Sequence, residues 1–87
     1  MLSVKSFLEA STSLIEEIMS YPPMEWNRLQ STIDNLSIAI GYKVLPIGEK
    51  PYVGKTVTIK LYITRGSLGR KVGVRIVEIG GKWKMKY

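Results

Sequence analysis

Residues 48–56 read GEKPYVGKT and end in the Gly-Lys-Thr of a phosphate-binding P-loop. A P-loop has four residues between its first glycine and the Gly-Lys pair, whereas five separate Gly48 from Gly54. It also needs a helix after the loop, because the helix N-terminus meets the phosphates. The alternating pattern that begins at Thr56 predicts a strand instead. We therefore expect a loop that enters a strand, and we predict no nucleotide cofactor.

Acid–base and metal chemistry lack their usual side chains in this sequence. The chain has 87 residues with no cysteine and no histidine. Disulfides and thiolate metal sites are thereby excluded, and the usual general base near neutral pH is missing. Glu49 and Glu78 are the only acids after residue 42, and nothing in the pattern brings them together. We expect a protein that is not an enzyme, with no catalytic residues, no metal and no cofactor.

The distribution of charge favours recognition of an anion. The net charge is +6, but residues 1–42 have two basic and five acidic side chains, a net −3. Residues 43–87 have eleven basic and two acidic side chains, a net +9. Asymmetry of this kind suggests an anionic partner for the basic half. Excess charge also serves solubility by itself, so both interpretations stay open here.

Two helices are predicted in the acidic half. Apolar side chains recur at spacings of three and four over residues 3–20 and again over 23–40. Pro22 and Pro23 separate the two segments, because proline disfavours helical backbone in the residue before it. Gly41 is placed to end the second helix. The apolar stripes are expected to form core, and their members are Val4, Phe7, Leu8, Leu14, Ile15, Ile18, Met19, Trp26, Leu29, Ile33, Leu36 and Ile40.

Antiparallel strands are predicted in the basic half. A period of two indicates strands over 56–64, 71–79 and 82–87, with a further short strand over 42–45. Gly80-Gly81 is a two-residue hairpin signal. That turn, and a second one centred on Ser67-Leu68, place apolar residues opposite one another in both hairpins. We expect one α+β domain, with two N-terminal helices packed on one face of a C-terminal antiparallel meander of three to four strands.

The predicted register leaves a basic surface on the other face of the sheet. It places Lys60 opposite Arg75, Arg75 opposite Lys86, and Tyr62 beside Gly73, with no acid among them. Like charges directly opposite one another are destabilising, and edge protection by lysine does not explain Arg75 on a central strand. Tyr62 is placed to stack on a base, and a predicted loop over 65–71 adds three cations. The candidate nucleic-acid-binding residues are Lys60, Tyr62, Arg65, Arg70, Lys71, Arg75, Lys82, Lys84 and Lys86.

These features predict non-enzymatic binding of DNA or RNA, with low sequence specificity and chiefly through phosphates. Two alternatives stay open: a protein-interaction module that docks an acidic partner or pairs through its edge strand, and a face that is only solvated. Homo-oligomerisation through the helix layer is compatible with the binding functions.

The expected setting is intracellular and cytoplasmic, without a membrane partner. No apolar run approaches the roughly 20 residues that span a bilayer. Lys5 and Glu9 interrupt the N-terminal segment, and charges at these positions disfavour a signal peptide.

Overall fold

The computed structural model describes residues 4–51 and 56–86. Its elements in chain order are α1 (Val4–Met19), α2 (Trp26–Ala39), β1 (Lys43–Val44), β2 (Val57–Arg65), β3 (Leu68–Ile79) and β4 (Lys82–Lys86). The strands form one antiparallel sheet in the order β1-β2-β3-β4, with both helices against the same face. The predicted α+β arrangement of N-terminal helices and a C-terminal meander is confirmed.

Helix α2 begins at Trp26, three residues later than predicted, because the segment before it pairs with the sheet. The Met24 amide donates to the Trp83 carbonyl at 2.9 Å, and the Trp83 amide donates back to Met24 at 2.6 Å. This antiparallel bridge requires extended backbone, which continues through Glu25 at φ −60° and ψ 148°. The segment between the helices therefore covers part of the open edge of β4.

The end of α2 has the predicted glycine, and it leads directly into the sheet. Gly41 has a φ of +80°, the left-handed conformation that suits glycine after a helix. The Tyr42 amide then donates to the Ser37 carbonyl at 2.8 Å. Strand β1 is two residues long and lies inside the predicted 42–45 range, and the Leu45 amide after it donates to the Tyr62 carbonyl at 3.1 Å.

The core lies between the helices and the inner face of the sheet. Trp26 of α2 and Trp83 of β4 meet edge to face, with their ring centroids 5.5 Å apart. Three members of the predicted stripes do not belong to the core, since Val4, Leu8 and Ile40 are 60 %, 45 % and 42 % exposed.

Two serines occupy core-facing positions that the apolar pattern omitted. Ser11 and Ser37 are buried on the lines of side chains that face the sheet, four residues after Phe7 and Ile33 respectively. Each hydroxyl donates to a carbonyl within its own helix, Leu8 for Ser11 and Ile33 for Ser37. A small hydroxyl that bonds to its own helix can be buried without an unsatisfied donor, so these positions need no apolar residue.

The β3–β4 hairpin has the predicted register. Gly80 and Gly81 form its turn with φ of +60° and +84°, and Ile76 lies opposite Met85. The predicted pairing of Val74 with Tyr87 lies outside the described residues.

The β2–β3 register differs from the prediction by two residues. The turn is at Gly66-Ser67 rather than Ser67-Leu68, so that Leu61 lies opposite Val72 and not Val74. Gly66 has a φ of +59°, which a tight two-residue hairpin turn needs, and the turn is therefore centred one residue earlier. A shift of two residues leaves every side chain on its predicted face, whereas a shift of one would exchange the faces.

Candidate functional site

The outer face of the sheet is the surface opposite the helices. Leu61, Ile63, Val74 and Ile76 are buried on the inner side, and the residues that alternate with them point outward. The outward positions carry Lys43, Lys60, Lys71, Arg75, Lys82, Lys84 and Lys86. The one carboxylate of the described strands, Glu78, is on the inner side opposite Trp83. It accepts a hydrogen bond from the Gly81 amide at 3.1 Å.

Three of these cations surround Gly73, and we call Lys60, Lys71 and Arg75 the cationic cluster. Lys60 is the cross-strand partner of Gly73, while Lys71 and Arg75 lie two residues to either side of it in β3. A Cβ built on Gly73 would meet no atom within 4 Å, so the space among the three side chains is open. Direct and diagonal neighbours in a sheet are about 5 Å and 7–8 Å apart. These spacings allow one extended polyanion to contact all three cations.

The two-residue shift overturns two predicted pairs on this face. Lys60 lies opposite Gly73 and not opposite Arg75, whose partner in β2 is Thr58. Tyr62 lies opposite Lys71 and not opposite Gly73. The predicted pair of Arg75 with Lys86 is present. One direct like-charge pair therefore remains of the two expected, at a cost of roughly a few tenths of a kcal/mol for exposed side chains in salt.

The Tyr62 side chain lies down along the sheet over Gly69. A Cβ on Gly69 would come within 2.8 Å of the Tyr62 hydroxyl oxygen and 3.3 Å of its Cζ. The missing side chain at Gly69 thus makes room for the half-buried ring. Lys71 Nζ lies over the same ring, 5.7 Å from its centroid, within the range of a cation–π contact. Sequence reasoning selected Tyr62 and Lys71 but missed the part played by Gly69.

The two predicted loop arginines lie in strands, on the side of the sheet that carries the helices. Arg70 lies in β3 opposite Ile63, and its Nη1 donates to the Leu8 carbonyl at 3.3 Å. The same atom donates to Ser11 Oγ at 3.0 Å and to Thr12 Oγ1 at 2.7 Å. Arg65 ends β2 with its Cζ 5.2 Å from the centroid of the Tyr42 ring. The predicted 65–71 loop is therefore wrong, and these two guanidinium groups are occupied within the fold.

Two lysines of β4 are also separated from the cationic cluster. Lys84 Nζ crosses the strand edge and donates to the carbonyls of Met19 and Tyr21, both at 2.6 Å, at the C-terminal end of α1. Lys82 flanks the last turn and lines a recess with Pro22 and Arg28. Its cross-strand partner Ile79 is six residues from Gly73, which is about 20 Å along β3. Of the predicted residues, the structure brings together Lys60, Tyr62, Lys71, Arg75 and Lys86.

Lys43 is an outward cation that sequence reasoning did not select. It lies exposed opposite Thr64, next to buried Val44. Alternation within the short predicted strand was the signal that could have identified it, because an inward Val44 requires an outward Lys43.

Neither a metal-holding group of acids nor a membrane-spanning helix is found in the parts of the chain that the structure describes. Within residues 4–51 and 56–86, no group of three or more acidic side chains could hold a metal ion. Three surface recesses, the largest about 390 Å³, each have a single carboxylate in their lining. None of the described helices is long and apolar enough to cross a membrane. The P-loop-like stretch lies partly in residues 52–55, outside the description, and the strand predicted after it begins at Val57.

No protein-family model matches this chain, and neither a curated protein nor a solved structure shows significant similarity to it. Fold and surface by themselves define the class: an α+β domain with two helices on one side of a four-stranded meander and a basic surface on the other.

Proposed function

We propose that this protein is a small, non-enzymatic, intracellular nucleic-acid-binding protein whose outer sheet face contacts phosphates. The observation that carries the proposal is the segregation of charge. Outward positions of the described strands hold cations and no carboxylate, and Arg75 keeps a like-charged partner in Lys86. The helix layer carries the exposed acids Glu9, Glu16, Glu17, Glu25 and Asp34.

A solvated face accounts less well for this arrangement. Lysines on β4 protect a sheet edge, but Arg75 has neighbours on both sides, Thr58 in β2 and Lys86 in β4. The outward positions of the described strands nevertheless carry no carboxylate, although opposite charges across strands are favourable. A phosphate bound between Arg75 and Lys86 would replace the repulsion between these two side chains with attraction of both to the phosphate.

The proposed binding has low sequence specificity. Phosphate contacts position a protein on nucleic acid but do not read its bases. Base reading by a helix needs a basic face that enters a groove, whereas α1 and α2 each carry one cation, Lys5 and Arg28. Both DNA and RNA therefore fit the proposal.

The salt dependence of binding tests this proposal. We expect labelled DNA to bind at about 50 mM salt in fluorescence-anisotropy measurements. The affinity should fall by orders of magnitude at about 200 mM salt. The double variant Lys60→Ala/Arg75→Ala should bind more weakly to every sequence, with a shallower log–log salt slope. Lys5→Ala/Arg28→Ala removes the same charge from the helix layer and is the matched control. Equal losses in the two double variants would show that net charge, and not the outer face, determines affinity.

Docking of an acidic protein on the same cations is the second candidate. It is favoured by the apolar side chains that share the outer face, since Leu45 and Ile79 are 48 % and 45 % exposed and protein interfaces have apolar centres. Pairing through the edge of β4 has less room, because Met24 already bridges to Trp83. Polyglutamate discriminates between the candidates. If it binds at about 50 mM salt and DNA does not, the protein-docking candidate replaces the first.

A further inference from the structure

The Tyr62 ring is positioned on the outer face in a way that phosphate binding alone does not require. The hydroxyl end of the ring extends over Gly69, where an added Cβ would come within 2.8 Å of the hydroxyl oxygen. The Lys71 ammonium lies over this ring, 5.7 Å from its centroid. The Lys71 ammonium ends a flexible four-carbon side chain, so an incoming base can displace it from the ring.

We infer that Tyr62 is a stacking platform for one unpaired base, so that the outer face prefers single-stranded over double-stranded nucleic acid. This inference rests on the proposed function. The faces of bases in a duplex are stacked on one another and are not accessible to an aromatic side chain on a sheet. A single strand can turn a base toward the protein, and aromatic stacking accepts any base because each has a π-face.

The cations around Tyr62 fit the phosphates on either side of such a base. Lys60 is two residues away on the same face of β2, and Lys71 is the cross-strand partner of Tyr62. When a base covers the ring, the Lys71 ammonium is displaced from the ring and becomes available to the adjacent phosphate. Base stacking and phosphate contact thus involve neighbouring nucleotides of one single-stranded nucleic acid.

The chain offers a matched pair of variants that move the ring without changing charge. Gly69→Ala places a methyl group 2.8 Å from the Tyr62 hydroxyl, so the ring must move from its present position. Gly73→Ala makes the same substitution on the same strand and face, with open space above it. Tyr62→Leu removes the ring, and Tyr62→Phe keeps it.

The experiment compares labelled oligo-dT of about 15 nucleotides, an abasic strand of the same length and a matching duplex, each at about 50 mM salt by anisotropy. The wild-type protein should prefer oligo-dT over both other ligands. Tyr62→Leu should weaken oligo-dT binding roughly fivefold to 150-fold and leave duplex binding unchanged, while Tyr62→Phe binds like the wild type. Gly69→Ala should weaken oligo-dT binding more than Gly73→Ala does. Circular dichroism confirms that each variant is folded.

The outcomes separate the platform from the phosphate surface. Equal affinity of the wild-type protein for oligo-dT and the abasic strand overturns the platform, and this measurement needs no variant. Preference for the duplex overturns it as well. If those results accompany a loss of binding in Lys60→Ala/Arg75→Ala, the phosphate surface stands without the platform. If no ligand binds at about 50 mM salt, both proposals fail.

Discussion

Arg70 and Lys71 are adjacent in β3 and have opposite surroundings. The Arg70 guanidinium donates to Ser11 Oγ and Thr12 Oγ1 of α1 at 3.0 Å and 2.7 Å. The Lys71 ammonium lies on the other face, over the Tyr62 ring. Both residues belong to the same run of positive charge in the sequence, but only Lys71 faces the surface proposed to bind phosphate.

Arg70→Ala should lower stability and leave nucleic-acid binding nearly unchanged. Hydrogen bonds from a charged donor contribute about 1.5–3 kcal/mol each when well made. Because the Arg70 side chain is half-buried, we expect a total loss of about 1–2 kcal/mol in the free energy of unfolding, measured in urea. Lys71→Ala removes the same charge and should weaken DNA binding with little change in stability. The assignment of faces is contradicted if Arg70→Ala weakens DNA binding as much as Lys71→Ala does.

Lys84→Ala should lower stability, whereas Lys86→Ala should weaken DNA binding. Lys84 Nζ donates to two carbonyls at the negative end of the α1 dipole, both at 2.6 Å. Its loss should lower the free energy of unfolding by about 1 kcal/mol, since the side chain is half-buried. Lys86 faces Arg75, and its removal relieves a like-charge pair. Lys86→Ala should therefore change stability by less than about 0.5 kcal/mol and weaken DNA binding. Urea unfolding that ranks the two variants in the reverse order would refute the contact of Lys84 with α1.

Tyr42→Phe should stabilise the protein. Tyr42 is 4 % exposed, and its buried hydroxyl has no hydrogen-bond partner among the described residues. An unsatisfied buried hydroxyl loses its hydration on folding, so its removal should raise the free energy of unfolding by about 1 kcal/mol. Phenylalanine keeps the ring contacts with Phe7 and Arg65. Tyr62→Phe, at a half-buried ring on the outer face, is the control and should change stability by less than about 0.5 kcal/mol. A destabilised Tyr42→Phe variant would mean that the hydroxyl is bonded in the folded protein.

The elements of this fold were predictable wherever a local rule decides the structure. Alternation over 56–64 and 71–79 predicts which side chains face inward, because neighbouring residues of a strand point to opposite faces. The two glycines at 80 and 81 predict the last turn, since both have positive φ. The turn at Gly66-Ser67 was misplaced by one residue, because a register shift of two pairs apolar residues equally well and the pattern does not distinguish them.

The late start of α2 depended on a contact between distant parts of the chain. Pro23 is a favourable first residue for a helix, and local rules alone therefore predicted one there. The bridge from Met24 to Trp83 holds the backbone extended in its place. A prediction that considers one segment at a time does not contain this pairing.

By itself, the sequence determined the class of the fold, the two faces of the sheet and the separation of acidic helices from basic strands, because these follow from residue spacing and backbone geometry. The tertiary structure alone decided which cations remain available on the outer face. Arg70 and Lys84 are bound by α1, and Arg65 lies against Tyr42, whereas Lys60 and Lys71 stay on the open surface around Gly73. The physical reason is that a long cationic side chain takes the acceptors that packing brings within its reach, and the position of a helix over a sheet is not a property of either segment alone.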